Sequence, residues 1–307
     1  MNAIETVVQR AHRNEKAAKT FITICGIGMA LVPLLIGAFL FIKGTDTFFT
    51  FGHSVTEFLF SGQWKPSDTA EGGGQVGAAM FLAGSLVTCL LSLILSLPFS
   101  LASSIYMTEI ATPQRRRLIQ PAIELFTGIP SVVYGFVGMT VLIPALRHIF
   151  PMPFGFSVLA AGIVLAIMIF PTITTMAADA MAAVPKSWRE ASYGLGATRW
   201  ETIAYVVLPA AKSGIFTGII LGLARALGEA LAVAMVIGQM KVFPTSLFLP
   251  ASTLTTAISA DMGGAMEGGE YNAALWTMAL VLFLLSFLFI FVIHQINAAS
   301  ELKGGRS

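Results

Sequence analysis

Charge is what this sequence has least of. Of its 307 residues, 11% are Asp, Glu, Lys or Arg against 56% hydrophobic, a balance that excludes a soluble domain of this size. Cysteine is nearly absent as well. Cys25 and Cys89 sit in separate apolar runs without CxxC or ligand-like spacing, which excludes a disulfide framework and leaves them as small hydrophobes. The four histidines, His12, His53, His148 and His294, fall at the ends of apolar runs or in loops, with no HExxH, so no zinc hydrolase is encoded. A Gly-x-x-x-x-Gly-Lys-Ser/Thr phosphate loop is missing too, and the chain is therefore not a nucleotide-binding subunit. Without clustered acids or a Ser/His or Ser/Lys pair, an intramembrane enzyme has nothing to work with. No catalytic residue, metal, cofactor or nucleic-acid partner is expected.

What is present is a series of long apolar runs, at 20–42, 76–107, 118–146, 154–178, 213–240 and 273–296. Each is long enough to cross a hydrocarbon core of about 30 Å, so the chain reads as an all-α polytopic membrane protein with six transmembrane helices. The first run exceeds the apolar core of a secretory signal and no small-x-small cleavage site follows it. Pro98 is expected to kink the second, part of which could lie along the membrane surface. Pro121, Glu124, Gly128, Pro130, Gly135 and Gly138 interrupt the third, which only neighbouring protein or a water-lined cavity tolerates at membrane depth. Between the first two runs, residues 43–75 form a loop with Phe48, Phe49, Phe51, Phe58, Phe60 and Trp64 ahead of Gly72, Gly73 and Gly74. Such aromatics suit an interfacial helix at the headgroups, or a packed subunit interface.

The placement of Lys and Arg orients the chain. Segments 1–19, 108–117, 179–212 and 297–307 hold thirteen of the 18, the alternate loops hold Lys43, Lys65, Arg147 and Lys241, and Arg225 lies in a span. Cytoplasmic N- and C-termini follow from that bias. The chain divides accordingly into a cytoplasmic segment at 1–19, a membrane domain at 20–297 with a long inner loop at 179–212, and a tail at 298–307.

The inner loop carries one distinctive polar stretch, EASYGLGATRWETIAYVVLP at 190–209. Glu190 and Ala191 suit a first helical turn, Gly194 and Gly196 break it, and Thr198 with Glu201 can form the capping box of a second helix. Pro209 marks entry into the next span. This pattern resembles the EAA loop of ABC importer permeases in its spacing of Glu190, Ala191, Gly196, Val206, Leu208 and Pro209, with Ser192 in place of the usual second Ala and Leu195 where Asp is common. The resemblance implies a type I importer permease whose loop docks on a separate ATPase and carries its motion to the membrane.

The fifth run has two features. Gly214, Gly218, Gly222, Ala226, Ala230, Ala234 and Gly238 form a ladder of small residues at every fourth position, a face on which a neighbouring helix can pack closely. Arg225 and Glu229 stand four apart and are therefore neighbours on one helix face. Arginine at mid-membrane costs about 2.5–3.5 kcal/mol even on the lenient insertion scale, so the pair is expected to line a polar route.

Three stretches narrow the resemblance: AIELFTGIPSVVYG at 122–135, the loop motif at 190–209, and LGLARALGEALAVAMVIG at 221–238. Together they are similar to the permeases of phosphate importers, the PstC-type subunit more than the PstA-type. That resemblance implies a homologous PstA-like permease, two PstB-like ATPase subunits, an extracytoplasmic PstS-like phosphate-binding protein and a bilayer as partners. A permease for molybdate or sulfate is the near alternative, because the loop motif does not choose among oxyanions. A secondary transporter is the distant one, since a midplane charge and broken helices suit ion coupling as well.

Overall fold

A computed structural model describes residues 2–69 and 71–304, with side chains at 15, 18–69, 71–292 and 295. Among the described residues, six helical stretches are long and apolar enough to cross a membrane: Ala18–Phe49, Ala79–Ile110, Ser131–Ile149, Val158–Ala182, Arg199–Gly228 and Glu270–Val292. Each corresponds to one of the apolar runs, but the ends and interruptions differ in informative ways. Arg10, Arg13, Lys16, His12 and His294 lie outside the residues with described side chains.

The first helix, α1 (Asn2–Phe49), continues past the point at which residues 43–75 were expected to become a loop. Its polar end is satisfied locally. Thr45 Oγ1 donates to the Phe41 carbonyl at 2.8 Å, and the buried Thr47 and Thr277 hydroxyls meet at 2.7 Å. The aromatic loop packs in part against the bundle. Within it α2 (Val55–Phe60) buries Phe58 completely, and Trp64 stacks edge-on against Phe81 with centroids 5.1 Å apart. Trp64 and Lys65 pair antiparallel with Val76 and Gln75, which closes the loop into a cap; Phe49 and Phe60 remain exposed.

Helix α3 (Ala79–Ile105) ends in a wide π turn, Tyr106–Ile110, so the second run crosses as one unit despite Pro98. The third run is split. Helix α4 (Pro113–Gly128) stops at Ile129, which precedes Pro130 and takes an extended ψ of 128°, the conformation a following proline ring imposes. The crossing segment starts afresh with α5 (Ser131–Val137), widens into a π turn at Gly138–Leu142, and finishes as α6 (Ile143–Ile149).

Helix α7 (Val158–Ala182) lies at the centre, with Leu165, Met168, Ile169 and Ile173 almost wholly buried. Ser92, Ser96, Ser100 and Ser104 of α3 are buried at four-residue spacing, and Ser100 Oγ reaches the α7 carbonyl of Phe170 at 3.3 Å. This small-residue stripe does for α3 what glycines do elsewhere, and it carried no signal in the hydropathy pattern.

The inner loop folds as α8 (Lys186–Gly194) and α9 (Arg199–Thr202), followed by a third π turn, Ile203–Val207, that runs into α10 (Leu208–Gly228). Pro209 is therefore the second residue of α10, where it marks entry into that helix, although the π turn before it keeps the helical stretch continuous. It has no N–H and crowds the carbonyl one turn back; the wide turn before it, closed by Leu208 N–H on the Ile203 carbonyl, takes up the mismatch. The fifth run is broken as well: α10 ends at Gly228 and a separate α11 spans Leu231–Ile237. Beyond it come α12 (Leu254–Asp261) and α13 (Glu270–Gly304).

Candidate functional site

Two places combine charge with unusual backbone: the inner loop and the break after α10. In the loop, α8 begins at Lys186 rather than at Glu190; Pro185 is its N-cap, with ring-fixed φ of −57° and an extended ψ of 138° that keeps it outside the helix. Glu190 and Ala191 consequently sit mid-helix and exposed. Gly196 turns the chain at φ +86°, a left-handed conformation that a Cβ disfavours. Thr198 then caps α9: its N–H donates to Glu201 Oε2 at 2.7 Å, and Glu201 N–H donates back to Thr198 Oγ1 at 3.3 Å. Ser192 and Thr202 hydroxyls, 2.9 Å apart, tie the two helices together. The outer surface of this hairpin presents Trp188, Tyr193, Leu195 and Trp200, with Leu195 91% exposed.

The opposite side of the hairpin is anchored by Arg189 and Arg199 on Glu109. Arg189 donates to both carboxylate oxygens of Glu109, at 2.7 and 3.3 Å, and to the carbonyls of Val184 at 2.6 Å and Met181 at 2.8 Å. Arg199 donates to the Glu109 carbonyl. Nothing in sequence spacing could have joined Glu109 to Arg189, eighty positions on.

The second place overturns the geometry expected of Arg225 and Glu229. They do not share a helix face. Glu229 follows the last residue of α10 with an extended ψ of 119°. Its Oε1 accepts the Ala232 N–H at 3.2 Å at the start of α11, and its carbonyl accepts from Thr255 Oγ1 at 2.9 Å. Arg225, in the last turn of α10, donates Nη1 to Thr172 Oγ1 on α7 at 3.1 Å. Among the described residues no ion pair joins the two, and Thr172 is the one hydrogen-bond partner of this guanidinium. Sequence carried a signal for the break. A cation in a last turn, a glycine after it, and an acid just ahead of a new apolar run are the end marks of one helix and the start marks of the next.

The small-residue ladder is interrupted at the same point. A Cβ at Gly214, Gly218 or Gly222 would press on Ala180, Met176 or Ile173 of α7, and Ala226 is buried beyond them. Ala230 falls in the break, and Gly238 turns at φ +90° against Pro250 and Phe156. The packing face thus covers α10 alone. It seats Arg225 one turn from the end of a helix pressed against the central α7.

Chemically, the break offers a permanent cation with a planar five-donor fork, and a carboxylate occupied in holding α11. No group of three or more His, Cys, Asp or Glu among the described residues could hold a metal. A cavity of about 410 Å³ lined by Phe126, Ile129, Val133 and Tyr134 is apolar.

Residues 100–300 match the family described as binding-protein-dependent transport system inner membrane component. The chain is 46% identical over 290 residues to a probable ABC transporter permease protein, YqgH, of Bacillus subtilis, covering 94% of this chain and 93% of that one. It is 37% identical over 280 residues to the phosphate transport system permease protein PstC of Pasteurella multocida, covering 85% and 84%. The PstC protein of Haemophilus influenzae is 32% identical over 320 residues, covering 98% and 96%. Among solved structures, the MetNI methionine ABC transporter matches at a TM-score of 0.54 with 23% identity, over 72% of this chain and 93% of that one. A bacterial alginate ABC transporter in complex with its periplasmic protein matches at 0.62 with 16% identity, over 91% and 92%. At those identities the structures speak for the fold, which is that of type I ABC importer permeases.

Proposed function

Since the chain belongs to the family of binding-protein-dependent transport-system inner-membrane components, we propose that it is the PstC-type permease subunit of an ATP-driven importer of inorganic phosphate. The observation that carries this reading is the agreement between whole-length similarity to PstC proteins and a self-contained helical hairpin with an exposed aromatic surface on the inner loop. Exposed Trp188, Tyr193, Leu195 and Trp200 suit a partner's groove, because large apolar side chains on a rigid scaffold lose little entropy on docking. The partner is an ATPase subunit, where ATP hydrolysis takes place. Glu190, Ala191, Gly196 and Pro209 belong to the docking element, and segments 1–19, 108–117, 179–212 and 297–307 lie in the cytoplasm.

At the membrane midplane, phosphate must exchange its hydration for something else. Arg225 supplies a charge that is never lost and a fork that matches two phosphate oxygens. Its single neutral anchor, Thr172, orients the fork without neutralising it. A homologous second permease completes the path, and an extracytoplasmic phosphate-binding protein delivers the substrate.

The test is labelled-phosphate uptake by proteoliposomes holding the chain with its co-purifying subunits, ATP enclosed and binding protein outside. Uptake that needs ATP and the ATPase, and that unlabelled phosphate suppresses while molybdate and sulfate do not, is the expected result. Uptake by the chain alone on an ion gradient would make it a secondary carrier; suppression by molybdate or sulfate would name another oxyanion.

A further inference from the structure

A docked hairpin transmits force only if it cannot pivot on its stem. The covalent stem of this hairpin reaches α7 through residues 183–185 and α10 through the π turn Ile203–Val207. Helix α3, the other large helix packed on α7, has no covalent connection to the loop. Apolar contacts beneath the loop, among Met181, Val184, Val207, Ala211 and Ile215, hold it down, but such contacts are non-directional and set no angle.

Glu109 and Arg189 supply the angle. Glu109 projects from the π turn that extends α3, and a π turn shifts the helical register so as to re-aim a side chain. Its carboxylate is 8% exposed and receives the Arg189 fork at 2.7 Å, while Arg189 is 16% exposed. The same guanidinium donates to the Met181 carbonyl in the last turn of α7 and to the Val184 carbonyl just beyond it. Arg199, on the second helix of the hairpin, grips the backbone of the same Glu109. One acidic residue is therefore held from both helices of the hairpin, and one arginine joins α8 and the end of α7 to the π turn that extends α3.

Resting on the reading of the hairpin as the ATPase docking element, we propose that Arg189 and Glu109 are positioning residues for energy coupling: they make the hairpin, α7 and α3 turn as one body when the ATPase moves. The charged, bidentate geometry suits that task because it fixes orientation as well as distance. Without it the hairpin stays docked and rotates on its stem, so that ATP is hydrolysed with little transport.

The experiment measures phosphate uptake and ATP hydrolysis on the same assembled, quantified complex for wild type, Glu109→Gln, Arg189→Ala and Arg189→Lys. The expected result is normal assembly, ATP hydrolysis within about twofold of wild type, and phosphate moved per ATP reduced ~10-fold in Glu109→Gln and Arg189→Ala, within the range of ordinary coupling energies. Arg189→Lys should recover part of the ratio, since it keeps the charge toward Glu109 and loses the span to the carbonyls. A proportional fall of uptake and hydrolysis, leaving the ratio unchanged, overturns the proposal. Loss of assembly in every variant, the lysine included, overturns it in favour of a folding staple. Failure of the wild-type complex to couple ATP to phosphate at all would count against the proposed function instead.

Discussion

Arg225 and Glu229 stand four residues apart and face different duties: one donates across to Thr172 of α7 at 3.1 Å, and the other accepts from Ala232 at 3.2 Å to start a new helix. An intrahelical pair would have offset the guanidinium's charge; the break keeps the cation available and spends the carboxylate on backbone. The two substitutions should therefore differ in kind.

Arg225→Gln removes the charge and the fork, and phosphate uptake should fall at least ~100-fold, about 2.7 kcal/mol at ~1.36 kcal/mol per tenfold, with assembly unchanged. Arg225→Lys should recover part of it. Glu229→Gln keeps an acceptor for the Ala232 N–H and loses only its charge at a helix start, worth about 0.3–1 kcal/mol. Its effect should be a modest loss of thermal stability with impaired uptake. Uptake assays and unfolding curves on the same preparations separate the two, and equal behaviour of both variants would restore the idea of a mutual pair.

How far sequence reached is clear at this break. The hydropathy run at 213–240 is continuous because apolar composition persists through the interruption; hydropathy reports solvent preference and is blind to backbone direction. Gly228 and Glu229 mark the break, but only to capping rules applied inside an apolar run. Conversely, Thr198 with Glu201 was legible because a capping box is local, and the turn at Gly194 and Gly196 because glycines between two helical signals commonly end a helix. The cluster in which His53 meets Glu270 at 2.7 Å and Gly74 N–H donates to Glu270 at 2.9 Å, and the Glu109 anchor, were illegible. Their partners lie tens to hundreds of positions apart, and only the packed bundle brings them together.

Gly196 is exposed, with nothing within 4 Å of an added Cβ, so a substitution there meets backbone strain and no crowding. Gly196→Val should cost about 1–2 kcal/mol in the local turn, while Gly196→Asn should be milder because Asn tolerates that region. The readout is retention of the ATPase through washes of rising salt, with membrane insertion unchanged. Equal retention by the Val variant and wild type would show that the turn's shape does not matter to docking.

Glycines on α10 make a second contrast. Gly218 faces Met176, whose Cβ would lie 2.8 Å from an added Cβ, whereas Gly228 at the helix end has open space. Gly218→Leu should therefore destabilise the bundle by about 1–3 kcal/mol through overpacking, and Gly228→Ala should be neutral or slightly stabilising. Thermal unfolding of the detergent-purified protein checks both; a Gly218→Leu midpoint equal to wild type would mean that α10 does not need its close approach to α7.

The loop between α1 and α3 caps the bundle around one buried carboxylate. Glu270, fully buried at the start of α13, accepts N–H bonds from Ser67 at 2.6 Å, Gly73 at 3.0 Å and Gly74 at 2.9 Å, and meets His53 Nε2 at 2.7 Å. Glycine is needed at position 74 because a side chain there would strike the carboxylate and the backbone of Ser67 and Lys65. His53 also faces Glu57 of α2 at 3.4 Å. Burial alone would lower the imidazole pKa, but hydrogen bonds and charge from Glu270 and Glu57 outweigh it and raise it above 6.5. A folded-state pKa above the unfolded one means that the folded state binds the proton more tightly. The stabilisation is thus fully present below pH 6.5 and is lost as pH rises through the folded value. The unfolding temperature of the purified protein should accordingly decline from mildly acidic to mildly alkaline pH, and His53→Gln should flatten that decline. Glu270→Ala, which strands three backbone donors and the imidazole, should lower stability at every pH by about 3–5 kcal/mol and open the loop to proteolysis. A wild-type stability that rises across the same pH range would contradict the pairing of His53 with Glu270.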